Sequence, residues 1–365
     1  MGRGIIAAGP AGARPRTGRS DDGLAAPLVR ACQIVSEARR ARRKSGEEVL
    51  DSPSELRDPC SGQSFAQAKH SSRMFGRTSA FALAVLFVAS MLAAQGLADP
   101  LLFAWALNFT AWAEILGSRF AEAARDLEDA MQIVERLQIT WLRADTSCAQ
   151  ALIESIQGDF DKAAERARSL LSADVRLALP AVEAVATEVL GGIAFMTGRY
   201  RDASALFERA HLLYVSHHLV HGWGFLMQIE RSEALLLQAD EEGPDAVPAL
   251  SSRLREHARL IERRLGGLPS YRGCALVLRG VYAARRGRPN VARRLFEQAL
   301  HLRPPPRTTY IDGWVLWRIA FERHRLGEPA ASVQPLLKQV EDINARSGMH
   351  GMAQFLTRAR GLYGV

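Results

Sequence analysis

The sequence predicts an all-α protein, an α-solenoid of about six tandem antiparallel helical hairpins with a period of about 40 residues. Three observations predict this fold class. The composition is rich in Ala, Leu and Arg, which lose little conformational entropy on entering a helix. No long segment alternates apolar and polar residues in the manner of a strand. A short motif also recurs along the chain at nearly constant spacing, as in repeat proteins.

Residues 1–73 differ from the rest of the chain in composition and charge. They hold 13 Lys and Arg against 8 Asp and Glu, so they carry a net +5 of the +8 of the whole chain. Gly, Pro, Ser and Arg dominate, and such a segment buries too little apolar surface to offset its ordering entropy. We therefore predict a disordered basic N-terminal segment over residues 1–73.

Residues 78–98 form an uncharged hydrophobic stretch that admits two interpretations. Its 21 residues are long enough to span a bilayer, and Arg73 and Arg77 precede it as in a signal or anchor segment. The alternative is the first, fully buried helix of the array. Gly96 would end that helix, and Asp99 followed by Pro100 is a favourable start for the next one. Both interpretations stay open.

The array itself is predicted over residues 99–345 from a repeated turn motif. The two best copies share a turn glycine, an aromatic or proline, a small residue, a large aromatic and a second small residue. They are Gly198, Tyr200, Ala203, Phe207 and Ala210 in one copy, and Gly287, Pro289, Ala292, Phe296 and Ala299 in the other. Weaker copies begin at Gly158 with Phe160, at Gly117 with Phe120, and at Gly327 with Pro329.

The spacing of the turn residues defines the number of units. Phe120, Phe160, Tyr200, Pro289 and Pro329 lie 40, 40, 89 and 40 residues apart. The gap of 89 residues has room for one more unit, enlarged by the acidic loop 240–248, with a second helix at about 249–265. After the array, we predict a C-terminal capping helix over residues 346–365.

Each motif position has a physical reason. The turn glycine closes the first helix in a left-handed conformation, and the small residues allow helices to approach closely. The large aromatic fills the space between helices. Seven residues before the turn glycine, two copies have another glycine, Gly191 and Gly280, where we expect the two helices of a hairpin to come close.

These residues resemble the tetratricopeptide repeat family. The stretch Leu190-Gly191 with Gly198 to Ala210, and the stretch Gly280 to Ala299 followed by Pro304, match its consensus. The unit of about 40 residues is longer than the usual unit of about 34 and is similar to the arrays of large bacterial regulators. The resemblance implies a concave groove, lined by the first helices, that binds a partner peptide or protein.

Enzymatic and cofactor-binding classes are disfavoured by the motifs. The chain has no G-x-x-x-x-G-K-[ST] loop, no G-x-S-x-G elbow and no paired carboxylates suited to acid–base catalysis. We expect the histidines of the stretch 211–221 to be polar residues at a hairpin junction rather than metal ligands; they are His211, His217, His218 and His221. We therefore predict no catalytic residue, no metal and no cofactor.

The function predicted is that of a protein-interaction scaffold. Residues 74–365 are nearly neutral, with 34 Lys and Arg against 31 Asp and Glu, so no nucleic-acid partner is expected for the array. Aromatic and arginine side chains on the first helices are the candidate partner contacts: Trp105, Trp112, Trp314, Trp317 and Arg318.

Location and context leave alternatives open. Four widely spaced cysteines suit a reduced, cytoplasmic protein, whereas residues 78–98 allow a membrane-anchored or exported one. A third alternative, from the family resemblance, is the sensor part of a larger ATPase, kinase or transcriptional regulator.

Overall fold

The computed structural model describes residues 99–172, 179–217, 224–243, 247–265, 269–302 and 307–364. These residues form thirteen α-helices and no strand. The helices are α1 (Pro100–Leu116), α2 (Phe120–Leu137), α3 (Thr140–Gln157), α4 (Phe160–Leu170), α5 (Pro180–Met196), α6 (Tyr200–Ser216), α7 (Gly224–Glu242), α8 (Val247–Leu265), α9 (Pro269–Arg285), α10 (Pro289–His301), α11 (Tyr310–Arg325), α12 (Ala330–Ser347) and α13 (His350–Tyr363).

The first twelve helices pack in consecutive pairs as six hairpins, from α1/α2 to α11/α12. The first helices of adjacent hairpins also contact each other, as α1 does with α3, α3 with α5, α5 with α7 and α9 with α11. This arrangement confirms the all-α helical-repeat solenoid. The extra hairpin expected in the gap of 89 residues is α7/α8, and its second helix starts at Val247, two residues earlier than the sequence suggested.

The turns inside the hairpins share one backbone geometry. Gly158, Gly198, Gly287 and Gly327 have φ values of 95°, 83°, 67° and 89°, so the predicted left-handed turns are confirmed there. In each turn the N–H of the next residue donates to the carbonyl five residues earlier, for example Arg199 to Ala194 at 2.8 Å. This bond satisfies a carbonyl that the end of the helix leaves open.

The first hairpin corrects one detail of the motif. Gly117 has φ −82°, and Ser118 takes the left-handed conformation with φ 59°. The hydrogen bond of the shared turn is nevertheless present, from Arg119 N to the carbonyl of Glu114 at 2.8 Å. The left-handed residue thus lies two residues before the second helix in four of these five turns, and three residues before it at Gly327.

Two glycines of the first helices allow close packing against an aromatic ring. A Cβ atom added at Gly280 would lie 2.3 Å from the ring of Phe296, and one at Gly191 would lie 3.0 Å from the ring of Phe207. Both phenylalanines are fully buried. The expectation that helices come close at these glycines is confirmed, and the large aromatic is the residue that fills the space.

We expect Gly280→Ala to lower the free energy of unfolding by about 1–3 kcal/mol, because the new methyl group overpacks the Phe296 ring. Gly273→Ala in the same helix is the matched control. Its Cβ would meet only ordinary contacts at 3.9 Å and 4.0 Å, and alanine favours the helix by about 1 kcal/mol. Urea unfolding of both variants measures the difference. Equal effects would contradict the packing role of Gly280.

The end of the chain departs from the predicted capping helix over 346–365. Helix α12 continues to Ser347, and α13 occupies only His350–Tyr363. Helix α13 contacts α12, and it also contacts α3 and α5, the first helices of the second and third hairpins. These contacts bury the apolar residues of α13, which are otherwise exposed to water. The buried residues are Gly351, Met352, Phe355, Leu356 and Ala359.

The two N-terminal predictions, a disordered segment over 1–73 and a hydrophobic helix over 78–98, lie outside the described residues. Within the part of the chain that the structure describes, none of the helices is both long and apolar enough to cross a membrane. The alternatives for residues 78–98 are therefore unchanged.

Candidate binding surfaces

Helix α13 packs on part of the surface that the first helices form. The ring of Phe355 stacks on Phe195 of α5, with ring centroids 4.4 Å apart, and meets Trp317 of α11 edge-on at 5.0 Å. Eight residues further along α13, Tyr363 stacks on Phe321 at 4.7 Å. An aromatic cluster thus fastens α13 to α5 and α11.

A buried arginine lies beneath this cluster. Arg318 is fully buried; its Nε donates to Glu233 at 3.0 Å and its Nη1 donates to Glu322 at 3.1 Å. Its guanidinium also lies 4.5 Å from the ring centroid of Trp317, within range of a cation–π interaction. Because a buried charge is costly unless paired and hydrogen-bonded, these contacts are what allow Arg318 to be inside the protein.

The same network extends to the C-terminal residue of α13. Asp240 accepts two hydrogen bonds from Arg285, at 2.6 Å and 3.1 Å, and one from Arg325 at 2.7 Å. Tyr363 links the hydrogen bonds around Arg318 to those around Asp240, because its hydroxyl accepts from Arg318 at 3.1 Å and donates to Asp240.

The protonation states agree with this bonding. Burial alone would raise the pKa of Asp240, but hydrogen bonds from Arg285 and the charges of Arg285 and Arg325 hold it below its ordinary value. Burial raises the pKa of Tyr363 to about 12, so its hydroxyl keeps the proton that it donates. The formal charges of the network balance, since three carboxylates face three arginines: Glu233, Asp240, Glu322, Arg285, Arg318 and Arg325.

The structure places most of the predicted partner contacts on the first helices inside the protein. Trp112, Trp314, Trp317 and Arg318 are all buried, with at most 7% of each side chain exposed, whereas Trp105 is partly exposed. Their polar atoms are used internally: Trp314 Nε1, for example, donates to Glu233 at 2.9 Å. The prediction assumed an open groove, whereas α13 packs on the first helices α3 and α5.

A separate cleft of about 630 Å³ lies among α6, α7, α8 and α9. We call it the arginine cleft. It is lined by His211, Val215, Arg231, Ser252, Arg255, Glu256, His257, Arg259, Leu260, Arg263, Tyr282 and Arg286. Residues of α8 supply most of this lining, and they recur three and four residues apart, so they share one face of the helix.

Four arginines give the arginine cleft its charge. Arg255, Arg259 and Arg263 follow one another at intervals of four along α8, and Arg286 follows the end of α9. All four are exposed, and within the described residues none of their side chains makes an ion pair or hydrogen bond. Glu256 is the one acidic residue among those that line the cleft. The cleft therefore carries an excess of unpaired positive charge.

The buried side of the arginine cleft is internally paired. Arg231 is buried, and its Nε donates to Glu208 at 3.0 Å. His257 is 2% exposed, with its Nδ1 2.9 Å from the hydroxyl of Ser232. Burial, followed by the charges of Arg231 and Arg253, lowers the pKa of His257 to about 3. This imidazole is neutral near pH 7, so the free charge comes from the exposed arginines.

Sequence reasoning missed the arginine cleft, although a signal was present. Arginines at positions i, i+4 and i+8 of an amphipathic helix form one stripe, and this stripe is visible in the segment 255–263. What could not be seen is that α6, α7 and α9 surround the stripe and make it the wall of a cleft.

The histidines considered as ligands are only partly described. His211 Nδ1 lies 3.1 Å from the side-chain amide of Gln228, and His217 follows the end of α6. His218 and His221 lie outside the described residues. Within the described ranges, no three His, Cys, Asp or Glu side chains are grouped so as to hold a metal ion.

Comparison with known proteins adds no identification. Neither the family models, nor the curated proteins, nor the solved structures contain a match to the chain.

Proposed function

We propose that the chain is a tetratricopeptide-like protein-interaction scaffold whose partner binds at the arginine cleft. The observation that carries the proposal is the cleft itself, which is open and has unpaired arginines, while α13 occupies part of the surface of the first helices, on α3 and α5. Stacked helical hairpins support this use, because they hold extended binding surfaces in a fixed shape. The step from helical repeats to binding is an analogy of fold, and the cleft supplies the specific site.

The rim of the arginine cleft suits a protein partner. Val215 lines the cleft and is 46% exposed, and Leu212 on the same helix is 58% exposed. Protein interfaces combine such apolar contacts with arginine, which is enriched at them. A scaffold role also requires no reactive group, in agreement with the sequence-based proposal that the chain is not an enzyme.

Site-directed photo-crosslinking tests the proposed location. A photoreactive amino acid is placed at Val215, at the arginine cleft, or at Val291 on α10, which is 36% exposed and is not part of the cleft lining. We expect the full-length chain, expressed in its own cells, to give one discrete crosslinked product from position 215. That product should disappear when untagged chain competes. Equal labelling from both positions, or none from either, would contradict the proposal.

A further inference from the structure

We infer that the arginine cleft recognises an extended acidic segment of a partner protein, whose carboxylates pair with Arg255, Arg259, Arg263 and Arg286. This inference rests on the proposed function and adds the chemistry of the ligand. The four guanidinium groups have no partner within the described structure, and Glu256 is the one acidic residue among the lining residues. An anionic ligand is therefore the complement of the cleft.

The spacing of the arginines favours an extended peptide. Successive arginines on α8 are four residues apart, which corresponds to about 6 Å along a helix axis. In an extended chain, side chains on one face recur at every second residue, about 6.6 Å apart. Acidic residues at alternate positions of an extended segment would thus meet successive arginines. The planar guanidinium also suits carboxylates, with which it forms paired hydrogen bonds.

Two features favour a peptide over a nucleic acid. Sequence-tolerant binding of single strands uses aromatic side chains on which bases stack, and among the described lining residues only Tyr282 has a phenol or indole ring. Residues 74–365 as a whole also have nearly balanced charge, with 34 Lys and Arg against 31 Asp and Glu. A nucleic-acid binder would show a broader positive surface.

The test measures binding of a fluorescent peptide of alternating Glu and Ser to the purified full-length chain by anisotropy. The variant R255Q/R259Q removes two arginines of the stripe. The control R136Q/R168Q removes two exposed arginines from α2 and α4 and makes the same change in net charge. We expect R255Q/R259Q to weaken binding about tenfold, since each exposed ion pair contributes about fivefold or less. The control should change the affinity by less than about twofold.

Three outcomes would overturn the inference. Equal weakening by the control would show that binding responds to net charge alone. Equal binding of a Lys-Ser peptide would show that the cleft does not distinguish an acidic from a basic peptide. Tighter binding of a single-stranded RNA that is lost in R255Q/R259Q would assign the arginine cleft to nucleic acid. If crosslinking from position 215 succeeds while the acidic peptide fails to bind, the proposed function stands and only the ligand class is wrong.

Discussion

Replacing Arg318 with methionine is expected to lower the free energy of unfolding by about 3–5 kcal/mol. The side chain is fully buried and provides the positive charge that Glu233 and Glu322 face inside the protein. Methionine fills part of the volume but leaves Glu233 without its cationic partner and Glu322 with only Arg285, at 3.3 Å. An uncompensated buried charge is strongly destabilising. Urea unfolding of the full-length chain, followed by circular dichroism, measures the loss.

The control is Arg325→Met, at the edge of the same network. Arg325 also pairs with a buried carboxylate, Asp240, but its side chain is 35% exposed and Asp240 retains two hydrogen bonds from Arg285. We therefore expect a loss below about 1 kcal/mol. Similar losses for the two variants would show that burial of Arg318 does not set its contribution.

A double-mutant cycle separates pairing from packing. Glu233→Gln keeps an oxygen that can accept from Trp314 but removes the negative charge. The double variant Glu233→Gln with Arg318→Met should be less destabilised than the sum of the two single variants, because neither charge is then left alone. Strict additivity would mean that the two side chains are not coupled.

The parts of the fold that were predictable from the sequence are those with local causes. A left-handed turn selects glycine at Gly158, Gly198 and Gly287, and a fixed number of residues then separates the turn from the helix positions that must be small or large. Gly280 and Phe296 belong to one hairpin, so their complementary sizes recur at constant spacing in the sequence. Local demands of this kind leave a periodic pattern.

The features that escaped prediction depend on distant contacts. The backbone N–H of Tyr310 donates to the hydroxyl of Ser118 at 2.8 Å, although 192 residues separate them. The hydroxyl of Tyr363 reaches Asp240 over 123 residues. No periodic pattern records such pairings, so nothing indicated that α13 would lie on the first helices. Trp314 and Trp317, the candidate partner contacts on α11, are inside the protein.

Gly351→Ala is expected to detach α13 from α3 and to lower the free energy of unfolding by about 2–4 kcal/mol. A Cβ atom at this position would lie 2.7 Å from the carbonyl oxygen of Ser155 and 3.0 Å from that of Ile156. Both obstacles are backbone atoms near the end of α3, so neither can move aside as a flexible side chain would. Relief requires α13 to shift, and a shift exposes the buried Phe355 and Leu356.

Gly361→Ala in the same helix should have the opposite sign. A Cβ atom there would meet nothing within 4 Å. The higher helix propensity of alanine should therefore raise the free energy of unfolding by about 1 kcal/mol. Limited trypsin digestion reports the position of α13 directly, because Arg358 and Arg360 lie on this helix. Cleavage there should become faster in Gly351→Ala and stay unchanged or slower in Gly361→Ala, since local opening exposes the helix to protease. Stabilisation by both substitutions would contradict the close packing of α13 on α3. It would also remove the reason for locating partner binding at the arginine cleft rather than on the first helices.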